Sequence, residues 1–255
     1  MKKFTSAWYD KLQETLELKK SALKQSDPFM VSRETQKTYA DKKLKPIYEN
    51  NEEAGTLKRT IIANTYFWLD SHDDVHLPGI FSRSIDHKGL RIPHLHDHIF
   101  QLDAKVGKAL EISEKALSWR ELGLGKTGMT EGLVLVSEIR KSYNEKIFNE
   151  YLNDEVNQHS VSMRYISLSL AVNNEEDFPE PFKVWQEVYP NLGNKAKADE
   201  NGFFFAVKEA ELSEISAVLS GSNELTPTLK EEIVIKKEKA TMNELMKKYD
   251  FKINL

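Results

Sequence analysis

VSMRYISLSLAV, residues 161–172, carries no proline or glycine and is rich in β-branched and aromatic residues, so it reads as a strand. Period-two alternation then puts Ser160, Ser162, Arg164 and Ile166 on one face and Val161, Met163 and Tyr165 on the other. Working outward, TIIANTYFWL (60–69), GLVLVSEI (132–139) and GFFFAVKEAELSEISAVL (202–219) have the same texture. Between them, Ile147, Phe148, Tyr151 and Leu152 fall on one face of a helix expected over 142–156. The segment DSHDDVHLPG reads as a turn-rich loop and IFSRSI as a short helix or strand. The acidic run 173–202, with three prolines, reads as a surface excursion. Strands dominate the middle and helices flank it. The pattern points to an α+β fold or a decorated β-barrel rather than alternating βαβ units.

The 255 residues divide into three parts by texture. Residues 1–59 form an N-terminal helical extension and linker, in which Trp8, Leu12, Leu16, Leu18 and Leu23 recur at roughly helical intervals. Residues 60–227 form the main domain, and 228–255 a charged, helix-prone tail. The main domain is acidic, with 16 Lys+Arg against 26 Asp+Glu, which argues against nucleic acid as a principal partner. No apolar run approaches the ~20 residues needed to cross a bilayer, and the basic N-terminus lacks the apolar core of a secretory signal. No membrane partner and a cytoplasmic site of action are expected. With no cysteine, thiolate zinc ligation and cysteine nucleophiles are excluded, and serine becomes the natural nucleophile.

Three of the seven histidines crowd into RIPHLHDH, residues 91–98. In an extended segment His94, His96 and His98 project to one side, where they could share a metal. Alternatively one imidazole is a general base for a serine. Ser162 beside Arg164 suits acyl transfer, with the guanidinium supporting the oxyanion. GLGKTGM (123–129) contains a Gly-Lys-Thr, but Arg120 stands where a phosphate-binding loop needs glycine, so it reads as a turn between strands.

Four short motifs in order resemble the tailed-phage prohead maturation protease of HK97 type, over residues 60–227. They are DSHDDVHLPGIFSRSI (70–85), IPHLHDHIFQLDAKVGKALEI (92–112), Ser162-Met163-Arg164-Tyr165, and AELSEISAVLSGSNELTP (210–227). Ile80 replaces the family's alanine, Arg164 its glycine, the Pro-Ala pair after Glu214 is missing, and 173–202 is a longer insertion. The resemblance implies a fold similar to herpesvirus assemblin: a small, mostly antiparallel β-barrel ringed by helices. It also implies a serine endopeptidase with His96 as general base, Ser162 as nucleophile and Glu214 as third member, Arg164 supporting the oxyanion. His159, Asp97 or His98 remain alternatives for orienting the imidazole. No cofactor or metal is implied. The implied partners are phage scaffold protein and major capsid protein, with self-cleavage or self-association, inside the assembling procapsid in the host cytoplasm. The competing readings are a metal-dependent hydrolase built on His94, His96 and His98, and a catalytically inactive, scaffold-binding assembly protein.

Overall fold

The computed structural model describes residues 5–21 and 55–229. Eight strands, β1 (Thr56–Thr65), β2 (Asp74–His76), β3 (His94–His96), β4 (Lys105–Ser118), β5 (Met129–Arg140), β6 (His159–Val172), β7 (Phe203–Ala217) and β8 (Thr228–Leu229), form one mixed sheet. The helices are α1 (Ser6–Ser21), α2 (Ser82–Lys88), α3 (Glu145–Leu152), α4 (Pro179–Val188) and α5 (Lys195–Asn201). The fold is α+β.

β7 is the pivot of the sheet. On one edge it pairs antiparallel with β6, and on the other it takes β2 along Phe205–Val207 and β3 along Ile215–Ala217, both parallel. From β3 the ladder continues antiparallel through β4, β5, β1 and the two-residue β8. Most pairings are antiparallel, but the ladder stays open and the expected closed barrel is not formed among the described residues. Among the described residues β8 pairs with β1 at two positions and with no further strand.

The main core lies between the curled halves of the sheet, from Ile61 and Ala63 of β1 to Leu168, Leu170 and Val172 of β6 and Phe205, Val207, Leu212 and Ile215 of β7. Helix α1 belongs to it: Leu16 is buried there, with Trp8, Tyr9 and Leu12 packed alongside, while Leu18 faces solvent. Thr5 caps the helix, its Oγ1 accepting from Trp8 N at 3.2 Å. Helix α1 of the N-terminal extension is thus docked on the main domain. The charged tail beyond residue 229 and the linker 22–54 lie outside the described residues.

The run 173–202 is not a surface excursion. It forms α4 and α5, and Trp185 and Val188 of α4, Leu192 of the connection between them and Ala198 of α5 bury against Ala171, Phe204 and Ala206. Phe205 and Val207 face the main core while Phe204 and Ala206 face the helices, so β7 is buried on both sides there. The uninterrupted apolar run FFFAV was the signal for two covered faces. The Gly-Lys-Thr segment is a turn between β4 and β5, and Lys126 donates to the Gly193 carbonyl.

Candidate functional site

The ladder decides which side chains meet. Ser162 on β6 lies directly opposite Glu214 on β7, and Ser160 opposite Ser216. Paired residues share a face of the sheet, so these four line one face. On the other edge of β7, His94 pairs with Ile215 and His96 with Ala217, which places both histidines on the opposite face. His94 and His96 therefore cannot turn toward Ser162 without unpairing β3.

His98 does reach it. Asp97 and His98 both adopt left-handed backbone conformations, φ 51° and 57°, ending β3 in a kink that carries His98 over to the Glu214 face. Its backbone N–H donates to Ser216 Oγ at 3.1 Å, and Ser216 Oγ donates to Glu214 Oε2 at 2.6 Å. His98 Nδ1 then sits 2.6 Å from Glu214 Oε1 and 3.0 Å from Ser162 Oγ. The arrangement departs from the expected site, in which His96 was the base. His96 instead puts its Nδ1 3.0 Å from Asp97 Oδ2. A bulge at Ser213, where the β6 to β7 register slips between Ser162 and Met163, sits beside the cluster.

The electrostatics follow from these contacts. Burial opposes ionisation of Glu214, whose side chain is 1 % exposed, but hydrogen bonds from His98, Ser162 and Ser216 outweigh it and hold the carboxyl below its ordinary range. The same carboxylate raises the His98 imidazole above its ordinary value, chiefly through their hydrogen bond, against a partial desolvation cost. In a linear triad the hydroxyl and carboxylate bracket the ring at opposite nitrogens. As cross-strand neighbours, Ser162 and Glu214 stand too close for that and share one nitrogen.

Arg164 is elsewhere engaged. Its Nε and Nη2 lie 3.0 and 2.7 Å from Glu211 Oε2, and Lys88 Nζ reaches Glu211 Oε1 at 2.9 Å. The guanidinium is an element of an ion-pair network between α2, β6 and β7, which corrects its expected place beside the oxyanion.

The remaining histidines of interest are core groups. His159 Nδ1 donates to the Thr226 carbonyl at 2.8 Å, which leaves its Nε2 to accept from Tyr151 OH at 2.8 Å. Tyr151 in turn lies 3.3 Å from His94 Nε2, and His94 Nδ1 lies 2.9 Å from Ser137 Oγ. Gly107 permits that last approach, because a Cβ there would fall 2.4 Å from Ser137 Oγ. Burial drives the His94 pKa down to about 3 and that of His159 to about 4. Both are neutral in the fold. The shared metal site that the competing reading placed on His94, His96 and His98 is not assembled, since the three imidazoles turn to Tyr151 and Ser137, to Asp97, and to Glu214.

A cavity of about 520 Å³ opens over the cluster, lined by His98, Ser160 and Ser162 at one end and by Asp70, Asp74 and His76 at the other. Asp70, Asp74 and His76 are buried, with candidate ligand atoms within 4.8 Å of one another. Sequence reasoning passed over this second end. The apolar-flanked LDSHDDVH, with three carboxylates and two imidazoles at close spacing, was the signal. Compared with known protein families, with curated proteins and with solved structures, the chain matches none.

Proposed function

We propose that the chain is a serine endopeptidase of the prohead-maturation type, with Ser162 as nucleophile and His98, held by Glu214, as general base. The observation that carries this reading is the placement of Ser162 Oγ 3.0 Å from an imidazole nitrogen that a buried carboxylate holds at 2.6 Å. A serine hydroxyl is a poor nucleophile until a positioned base accepts its proton. At rest His98 Nδ1–H donates to Glu214; in the tautomer protonated at Nε2 that hydrogen bond is given up, and Nδ1 takes the Ser162 proton as Oγ attacks the scissile carbonyl. The imidazolium so formed keeps its new N–H on Glu214, and then returns the proton to the leaving amine. Water repeats the sequence on the acyl-enzyme. With Arg164 clasped by Glu211, its positive charge acts on the strand pair, and oxyanion stabilisation falls to other groups.

The order of the four motifs supports a prohead-type substrate: scaffold protein or a scaffold-like arm of the major capsid protein, cut in the assembling procapsid of the host cytoplasm, with the enzyme also cutting itself. The approach of β1 to β6 across the core supports an assemblin-like curl of the sheet. The test is mass spectrometry of the products after co-expression with candidate scaffold and capsid proteins. Defined cuts that vanish in Ser162→Ala and persist in EDTA are expected. Cuts that survive Ser162→Ala and stop on chelation would instead support a metallohydrolase. Normal capsids with no cuts would support a non-catalytic assembly protein.

A further inference from the structure

The far end of the cavity already holds a cation. Lys19, in the last turn of α1, directs its ammonium onto Asp74 Oδ1 at 2.5 Å and onto the His72 carbonyl at 3.0 Å. The same nitrogen lies 4.5 Å from the centre of the Phe205 ring and 5.5 Å from that of Tyr165. A carboxylate, a carbonyl and two ring faces are what a lysine ammonium needs when it leaves water.

The socket is built independently of α1. Asp70 Oδ1 accepts from His72 N at 2.8 Å and Asp74 N at 3.0 Å, which shapes the turn that presents the His72 carbonyl. Tyr165 OH holds the other oxygen of Asp74. With Lys19 in place the Asp74 side chain is 1 % exposed, and a carboxylate so buried is costly unless a cation or further donors accompany it. His76 adds an unclaimed group. Its Nδ1 is taken by the Asn64 side chain, while its buried Nε2 has no partner among the described residues. Burial lowers the His76 pKa, so the ring is neutral and its Nε2 does not compete as a charge.

The occupant, in contrast, comes from a separate piece of chain. Helix α1 is held by aromatic contacts, Trp8 edge-on to Phe203 and Tyr9 stacked on Phe178 at 4.2 Å, with Leu16 beneath. Ser162 and this socket line the same cavity.

We propose that the acidic end of the cavity is a subsite for a lysine or arginine side chain of a polypeptide substrate, and that Lys19 is its internal occupant. The proposal rests on the peptidase reading for the word substrate, but the socket itself is a matter of binding. A substrate must displace Lys19, so α1 competes with substrate for the socket.

The experiment uses the full chain as wild type, Lys19→Met, which keeps an apolar stem for packing, and Lys19→Met with Asp74→Asn. The probe is a fluorescent, end-capped alanine peptide carrying one lysine, and its control has norleucine in that place. Binding is read by anisotropy and folding by circular dichroism. Lys19→Met should bind the lysine peptide about tenfold more tightly than wild type, and about tenfold more tightly than the norleucine peptide. Asp74→Asn should remove that preference. Equal binding of both peptides, no gain in Lys19→Met, or no binding in any folded variant overturns the proposal. Cleavage of the same peptides separates the two ideas. Lysine-selective binding without cleavage keeps the socket and counts against the peptidase, whereas cleavage that ignores lysine keeps the peptidase and removes the socket.

Discussion

Two imidazole systems lie on opposite faces of the β3–β7 edge, and they differ in what they face. The buried system runs from Ser137 through His94, Tyr151 and His159 to the Thr226 carbonyl, with neutral partners throughout. The rim system joins Ser162, His98, Glu214 and Ser216 around one carboxylate, with the His98 side chain 37 % exposed. Burial without a charge pushes the first pair of imidazoles toward permanent neutrality, and a carboxylate pushes the second toward protonation. A serine–histidine hydrogen bond is therefore insufficient to mark a catalytic pair: Ser137–His94 has one as short as Ser162–His98. The carboxylate and the open cavity distinguish them.

The sharpest break of this comparison is a pair of substitutions. Glu214→Gln removes the charge that stabilises the imidazolium and should lower kcat/KM by about 10²- to 10⁴-fold. Tyr151→Phe should leave kcat/KM near wild type, yet it strips a partner from two buried imidazoles and should cost about 1–3 kcal/mol of stability in thermal or urea unfolding. Loss of activity in Tyr151→Phe at full folding would merge the two systems into one.

Acid should find the buried pair first. The folded pKa values of about 3 for His94 and about 4 for His159 lie below the ordinary 6.5, so the unfolded chain binds more protons in that window. Stability from this source is intact above about pH 6.5 and falls as the pH drops toward 4, by roughly 1.4 kcal/mol per pH unit for each imidazole. Urea titrations at stepped pH would show it, and His159→Gln should flatten the slope. The rim system should show the opposite sign. His98 is raised, so the acid limb of the kcat/KM profile should have its midpoint above 6.5 and move downward in Glu214→Gln. The smallest effect belongs to His96→Ala, which keeps the β3 backbone and removes a side chain whose ring bonds to Asp97 and not to Ser162, and should change kcat/KM by no more than about threefold.

Much of the sheet could be read from the chain because β5, β6 and β7 combine β-branched content with clear alternation. Ser162 and Glu214 were both singled out, and a ladder two strands wide brings them together. The choice of histidine could not be read, because strict alternation puts His94, His96 and His98 on one side. The two positive φ angles at Asp97 and His98 break that alternation in a single step; Asp and His enter the left-handed region more readily than most residues, but neither requires it. Arg164 was misplaced for a related reason. Its partner Glu211 comes into register only through the bulge at Ser213, a feature of the pairing and not of either strand alone. The helices within 173–202 were hidden by acidic residues and prolines, one of which, Pro179, opens α4 where its fixed φ suits the first turn.

The central claim is that His98 activates Ser162. It is tested most directly by treating wild type, His96→Ala and His98→Ala with a fluorophosphonate and mapping the adduct by mass spectrometry. An adduct on Ser162 in wild type and His96→Ala, lost in His98→Ala, is the expected result. An adduct that survives in His98→Ala and disappears in His96→Ala, or one that never forms on Ser162, would contradict it.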